Sequence, residues 1–237
     1  MKIAVLADIH VNRHALEAVL ADCPEVDDTI CLGDVVGYGA DPVACLDEVR
    51  HSGWLTLTGN HDRGCYDATV LDWFHDEAAD ALQWTITELG AERVAWLAER
   101  PEKAEHQSAL LVHASPRDPV FEYILDGYTA LANLALLDGG VCFHGHTHIP
   151  GVFSTVEGRV QHEYALAKVG LEGPALVNPG SVGQPRDGDP EASYGIWDVT
   201  DGTFSFRRVA YDVHGAQRAI REAGLTPFFA ERLAYGR

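Results

Sequence analysis

The chain is short of cysteine, of basic residues and of long apolar runs, and each shortage narrows what it can be. Its five cysteines (Cys23, Cys31, Cys45, Cys65 and Cys142) are odd in number and scattered, with no CxxC pair. That pattern points to reduced thiols in a cytoplasmic protein, with no disulfide framework. The apolar runs fall well short of the about 20 residues of a membrane helix, so no membrane partner is expected. The opening MKIAVLADIH is too brief for a signal peptide and runs into Asp8 without a small-residue cleavage site, so it reads as a first strand. Seventeen Lys and Arg stand against 36 Asp and Glu, a formal net charge of −19. Such a surface repels a polyanionic backbone and argues against extended nucleic acid. It leaves room for a small phosphate ester at a site whose positive charge comes from metal ions.

What is present is enough for a substantial core: 237 residues, 46% hydrophobic, without linker, repeat or low-complexity segment. One α/β domain spanning 1–237, with a β-rich second half, is the economical reading. Short apolar runs alternate with helical patterns. Asn12 can cap a helix carrying Leu16, Val19 and Leu20, and Asp41-Pro42 starts a second with a capping carboxylate. Residues 67–99 read as mostly helical, with Trp73, Trp84 and Trp96 as packing residues. A helix is expected over Tyr128–Leu137 and another over Val213–Ala223, stopped by Gly224. Glu157-Gly158 and Asp201-Gly202 read as hairpin turns.

Five strand-like runs end alike: IAVLADIH, TICLGDVVGYG, WLTLTGNHD, ALLVHAS and GVCFHGHTH. Ligands of open α/β sheets bind at the carboxyl ends of strands, so Asp8, His10, Asp34, Asn60, His61, Asp62, His113, His146 and His148 should meet at one edge. Asp8 and His10, like His146 and His148, are two apart, which in extended backbone places them on one side. Glycines at 33, 37, 59 and 145 allow tight turns beside these groups. An oxygen and imidazole donor set without thiolate suits Mn, Fe, Zn, Co or Ni ions. Seven ligands drawn from these nine residues would exceed one tetrahedral ion and fit two ions sharing a carboxylate.

DIH, GDVVGYG, GNHD, VHAS and GHTH, followed by NPGS, resemble the ordered motifs of the calcineurin-like metallophosphoesterases. The resemblance runs from Asp8 to about residue 187. It implies a sandwich of two mixed β-sheets flanked by helices, with a helical insertion at about 63–108. It further implies two divalent or trivalent transition-metal ions, manganese foremost. One ion would take Asp8, His10 and His148, the other Asn60, His113 and His146, with Asp34 bridging. A bridging hydroxide would then attack phosphorus, His61 would assist the leaving group, and Asp62 would orient His61. Val11 stands where many relatives carry glycine.

The run ALVNPGSVGQPRDGDP offers a second phosphate grip through Ser181 and Arg186, while Asn12 either contacts phosphate or caps its helix. GDVVGYGADP with NPGSVGQPRDGDP resembles a bacterial subgroup of diadenosine-tetraphosphatase-like and phosphodiesterase proteins. The expected activity is cleavage of a small phosphodiester, dinucleoside polyphosphate or phosphomonoester. A catalytically silent metal scaffold for a protein partner is the alternative, and His61 with Asp62 speaks against it. His144 is expected to pack or to lie behind the ligands, and His14, His51, His75, His106, His162 and His214 have no partner motif.

Overall fold

The computed structural model describes residues 1–157, 159–164 and 167–237. Its strands are β1 (Lys2–Leu6), β2 (Asp28–Cys31), β3 (Leu55–Thr56), β4 (Lys103–His106), β5 (Ala109–Val112), β6 (Val141–Phe143), β7 (Gly151–Val156), β8 (Arg159–Tyr164), β9 (Lys168–Gly170), β10 (Ala175–Asn178), β11 (Ala192–Asp198) and β12 (Thr203–Val209). The helices are α1 (Arg13–Asp22), α2 (Pro42–Ser52), α3 (Asn60–Gly64), α4 (Asp76–Ala98), α5 (Gly127–Leu134), α6 (Val213–Glu222) and α7 (Pro227–Leu233), with a 3-10 segment over Ala68–Trp73.

The strands form two six-stranded mixed sheets, in the orders β3-β2-β1-β11-β12-β9 and β4-β5-β6-β10-β7-β8. Strand alternation explains how both faces are filled. Ile3 and Val5 of β1 point between the sheets with Leu111, Phe143, Val177, Trp197 and Phe204. Ala4 and Leu6 point outward against helical residues such as Leu16, Val19 and Leu46. The parallel runs β1–β2–β3 and β5–β6–β10 bring their carboxyl ends to a common edge. All five cysteines are free thiols.

Several local expectations change. Lys103–His106, inside the segment expected to be helical, pairs antiparallel with β5. Its alternate half-buried positions suit an edge strand rather than a helix face. Gly90 interrupts α4 at φ 69°, ψ 169°, which a residue with a Cβ rarely adopts. Asp41 sits at the N-cap of α2 without a side-chain cap hydrogen bond. Trp73 is 81% exposed, not packed, whereas Trp96 joins the outer core. The tail carries a second helix, α7, that had no separate signal. Asp201-Gly202 does turn β11 into β12, with Gly202 at φ 62°. Gly158 of the other expected hairpin turn lies outside the described residues.

Candidate metal centre

Beyond the strand ends the loops remain zipped together. Asp8 N donates to Gly33 O at 3.1 Å, His10 N to Asp34 O at 3.1 Å and Val11 N to Val35 O at 3.0 Å. The convergence of Asp8 with His10 was expected from extended backbone; instead Asp8 (φ 55°) and His10 (φ 47°) are left-handed. His146 (φ 66°) and His148 (φ 60°) are left-handed too, as are Asp34 (φ 51°) and Val11 (φ 42°). Left-handed residues bend each loop sharply past its strand end, so the side chains are aimed into the site by the turns and not by strand alternation. This conformation costs on the order of 1 kcal/mol or more per non-glycine residue, which the surrounding packing must impose. Val11, β-branched in that region, explains why glycine is the easier residue there.

The side chains meet in two buried groups. Asp8, His10, Asp34 and His148 each present a ligand atom, all within 4.8 Å of one another, and Asp34, His113 and His146 do the same. Asp34 Oδ2 lies 3.7 Å from His10 Nε2 and 3.4 Å from His113 Nε2, so one oxygen faces both groups. Its Oδ1 is held by the backbone N–H of His61 at 2.9 Å. Asn60 Oδ1 is 3.3 Å from His113 Nε2 and joins the second group.

Each imidazole is anchored by one nitrogen to a main-chain carbonyl. His10 Nδ1 donates to Val36 O (2.9 Å), His113 Nδ1 to Leu32 O (3.0 Å), His148 Nδ1 to Gln184 O (2.6 Å) and His146 Nε2 to Phe121 O (3.2 Å). These carbonyls set the tautomers, leaving a lone pair on the other nitrogen of every ring. Those lone pairs face one another: His10 Nε2 to His148 Nε2 at 3.1 Å, and His113 Nε2 to His146 Nδ1 at 3.1 Å. Two acceptors at hydrogen-bond distance repel unless a cation lies among them. The donor set therefore fits two metal ions, each ring braced from behind as metal-ligating histidines usually are.

Electrostatics agree. Burial, with His148 beside it, pushes His10 well below the usual histidine range. Burial and His113 do the same to His146. Both stay neutral, the state a metal ligand requires. Burial also opposes charge on Asp34 and His113, but their mutual attraction prevails, holding Asp34 ionised and raising His113 to about 9, so that without a cation a proton on His113 Nε2 takes the position an ion would fill between Asp34 and His146.

Around this floor the expected roles divide. His61 stacks on Phe74 (4.6 Å, 19°) and lies 4.4 Å from Tyr38, with its Nδ1 buried and without a hydrogen-bond partner. Burial holds it down to about 4. Gly37, at φ 96°, is needed there because a Cβ would overlap the His61 ring. Asp62 does not orient His61. Its carboxylate accepts from Val36 N (3.1 Å) and Gly59 N (3.0 Å), pinning two ligand loops together. Burial and the nearby Asp34 raise it to about 7.

Ser181 also departs from expectation. Its fully buried hydroxyl donates to Asp8 O and accepts from Gln184 N, both at 2.8 Å, leaving nothing for phosphate. The amide of Asn12 accepts from Ala15 N (3.2 Å) and donates to Gly183 O (2.9 Å) and Tyr211 Oη (3.3 Å), so the capping role is the one observed. Arg186 differs: its Nη2 donates to Gln184 Oε1 at 2.9 Å, but its Nε is buried without a partner. Its charge reaches His10, His61 and His148, pressing all three down after burial.

The NPGS segment proves to be a clamp. Asn178 Nδ2 donates to Gly145 O (2.7 Å) and Thr147 Oγ1 (3.0 Å), fixing the GHTH loop from below. Its place in the NPGS motif was the only signal for it. His144 is buried behind that loop, lowered to about 4 by burial, and belongs to neither ligand group.

A family model for the calcineurin-like phosphoesterase superfamily domain matches residues 1–202. The chain belongs to this superfamily. An uncharacterized protein of Methanocaldococcus jannaschii is 38% identical over 244 residues, covering 99% of this chain and 98% of its own. The crystal structure of a metallophosphoesterase from Sphaerobacter thermophilus is 39% identical, with a TM-score of 0.90 over 100% of this chain and 99% of its own. A hypothetical protein of Pyrococcus horikoshii, 19% identical, shares the fold with a TM-score of 0.81, over 100% of this chain and 98% of its own. This superfamily member is a metal-dependent phosphoesterase with the two-sheet sandwich expected of it. Among the described residues no helix is long and apolar enough to cross a membrane.

Proposed function

We propose that the chain is a binuclear phosphoesterase that cleaves a small phosphodiester or a dinucleoside polyphosphate, with manganese as its preferred ion. The observation that carries this reading is the pair of facing imidazole lone pairs on either side of one shared carboxylate oxygen. Asp8, His10 and His148 would hold one ion, Asn60, His113 and His146 the other, and Asp34 both. Bound there, two such ions neutralise phosphoryl oxygens and make water a competent nucleophile near neutral pH.

The protein's own groups supply the rest. Arg186 offers a buried, unpartnered N–H toward an anion, and a fixed guanidinium orients a phosphate better than a mobile cation would. His61 stays neutral until substrate enters. A phosphate brings the negative charge that lets the ring take up a proton, which it then passes to the departing oxygen. Phe74 and Gly37, not Asp62, set the ring's orientation. A silent scaffold would have no use for a free imidazole beside the ligands, and this favours turnover. The partners are small anionic esters in the cytoplasm.

The test is turnover by metal-stripped protein refilled with Mn, Fe, Zn, Co or Ni singly, on a phosphomonoester, a phosphodiester, a cyclic nucleotide and diadenosine tetraphosphate. Mn-dependent hydrolysis of the diester or the dinucleotide is expected. Activity confined to the monoester would overturn the substrate assignment.

A further inference from the structure

An exposed indole beside a metal centre asks for an occupant. Trp73 leaves 81% of its surface in water, although Trp is among the residues most buried on average. It sits at the mouth of a cleft of about 180 Å³ whose floor includes Asn60, His61 and His146. Phe121 lies near-parallel to Trp73, with ring centroids 6.2 Å apart and planes at 29°. Tyr123, 47% exposed, stacks on the His146 ring at 3.8 Å and 27°. The cleft thus runs from the ligands of the second ion out to a wall of aromatic faces.

Charge points the same way. In a chain of net charge −19, no carboxylate lines this cleft among the described residues. A substrate carrying phosphates meets no repulsion there. The volume falls short of the roughly 300–1,000 Å³ typical of sites that enclose a whole drug-sized ligand. It takes a single ring system, with the phosphates over the metal ligands.

We infer that Trp73, Phe121 and Tyr123 form a stacking shelf for a nucleobase, which makes the substrate of this site a nucleotide ester rather than an aliphatic phosphate. The inference rests on the phosphoesterase reading above. Stacking suits a site of this kind because every base has a π-face, so a shelf that acts by stacking selects for a base without distinguishing strongly among bases.

Two measurements test it. In the first, tryptophan fluorescence of the intact protein is titrated with adenosine and, separately, with ribose, in wild type and Trp73→Ala. The other four tryptophans are at least partly buried, so quenching by adenosine should be saturable in wild type, absent with ribose, and lost in the variant. In the second, kcat/KM is compared for diadenosine tetraphosphate and inorganic tripolyphosphate. Trp73→Ala should lower the ratio of the two roughly 10-fold, with the loss in KM. Equal quenching in both proteins, an unchanged ratio, or a change in sedimentation with unaltered quenching would overturn the shelf; the last would mark Trp73 as a contact between copies. Saturable, Trp73-dependent quenching without turnover of either compound would sink the proposed dinucleoside polyphosphate cleavage and leave the shelf standing.

Discussion

The ligand floor and the aromatic wall of the same cleft are built on opposite plans. On the floor every candidate ligand imidazole is braced through one nitrogen, the backbone is held left-handed at five of the candidate ligands, and Asp8, His113 and His148 are sealed from water. On the wall, Trp73 and Tyr123 stand in solvent with their planes as their main asset. A floor that gathers two cations must be pre-organised, because a ligand misplaced by about 1 Å forfeits both affinity and rate. A wall that only stacks on a ring can stay open and let substrates come and go. The two plans meet at His146: the Phe121 carbonyl braces one of its nitrogens and the Tyr123 ring stacks on its face.

Breaking the floor should have the largest effect. Asp34→Asn removes the charge shared by both groups and is expected to lower kcat roughly 10³-fold or more, measured at saturating metal. Retention of one-tenth of the activity would remove Asp34 from its bridging role. His61→Ala should cost about 10²-fold on an ester with a poor leaving group and much less on a p-nitrophenyl ester. An equal loss on both would mean that the ring positions substrate without moving a proton.

Metal also separates the two regions by stability. Returning the cognate ion at ten times its Kd to stripped protein should raise the unfolding free energy by about 1.4 kcal/mol in wild type and equally in Trp73→Ala, but not in Asp34→Asn. Thermal melts over a metal titration read this directly. The smallest effect lies under the wall. The hydrogen bond from Arg117, with Ser115 (2.6 Å) and Asn133 (2.8 Å), lowers Glu122 to about 2. Because this is below the unfolded value of about 4.3, the stabilisation is full above that pH and fades as pH falls toward 2. Glu122→Gln should therefore cost about 1 kcal/mol at neutral pH, and the gap to wild type should close in acid. A pH-independent gap in denaturant melts would assign the loss to packing.

Much of the floor was legible because its residues sit in short runs at strand ends, where sequence order and spatial order coincide. The left-handed turns were not, since Asp8-Ile9-His10 reads as extended by alternation. Nor were the partners of Asp62 and Ser181: a carboxylate next to His61 and a hydroxyl in an NPGS loop look available until distant amides are seen to occupy them. The wall was hardest to see, because the periodicity that makes Trp73 look like a core residue says nothing about whether another element covers it.

By itself the sequence determined an α/β class with a β-rich second half, the oxygen and imidazole chemistry and the candidate ligands, because alternation, strand-end polarity and residue type are local properties; the two-sheet sandwich was implied only by the family resemblance. Only the tertiary structure decided which polar groups are already satisfied, which nitrogen of each ring faces inward, and which aromatic faces remain open. Those depend on what segments more than a hundred residues apart bring into contact: the Asp8 carboxylate with the His146 amide, His10 with His148, and Asn12 with Gly183.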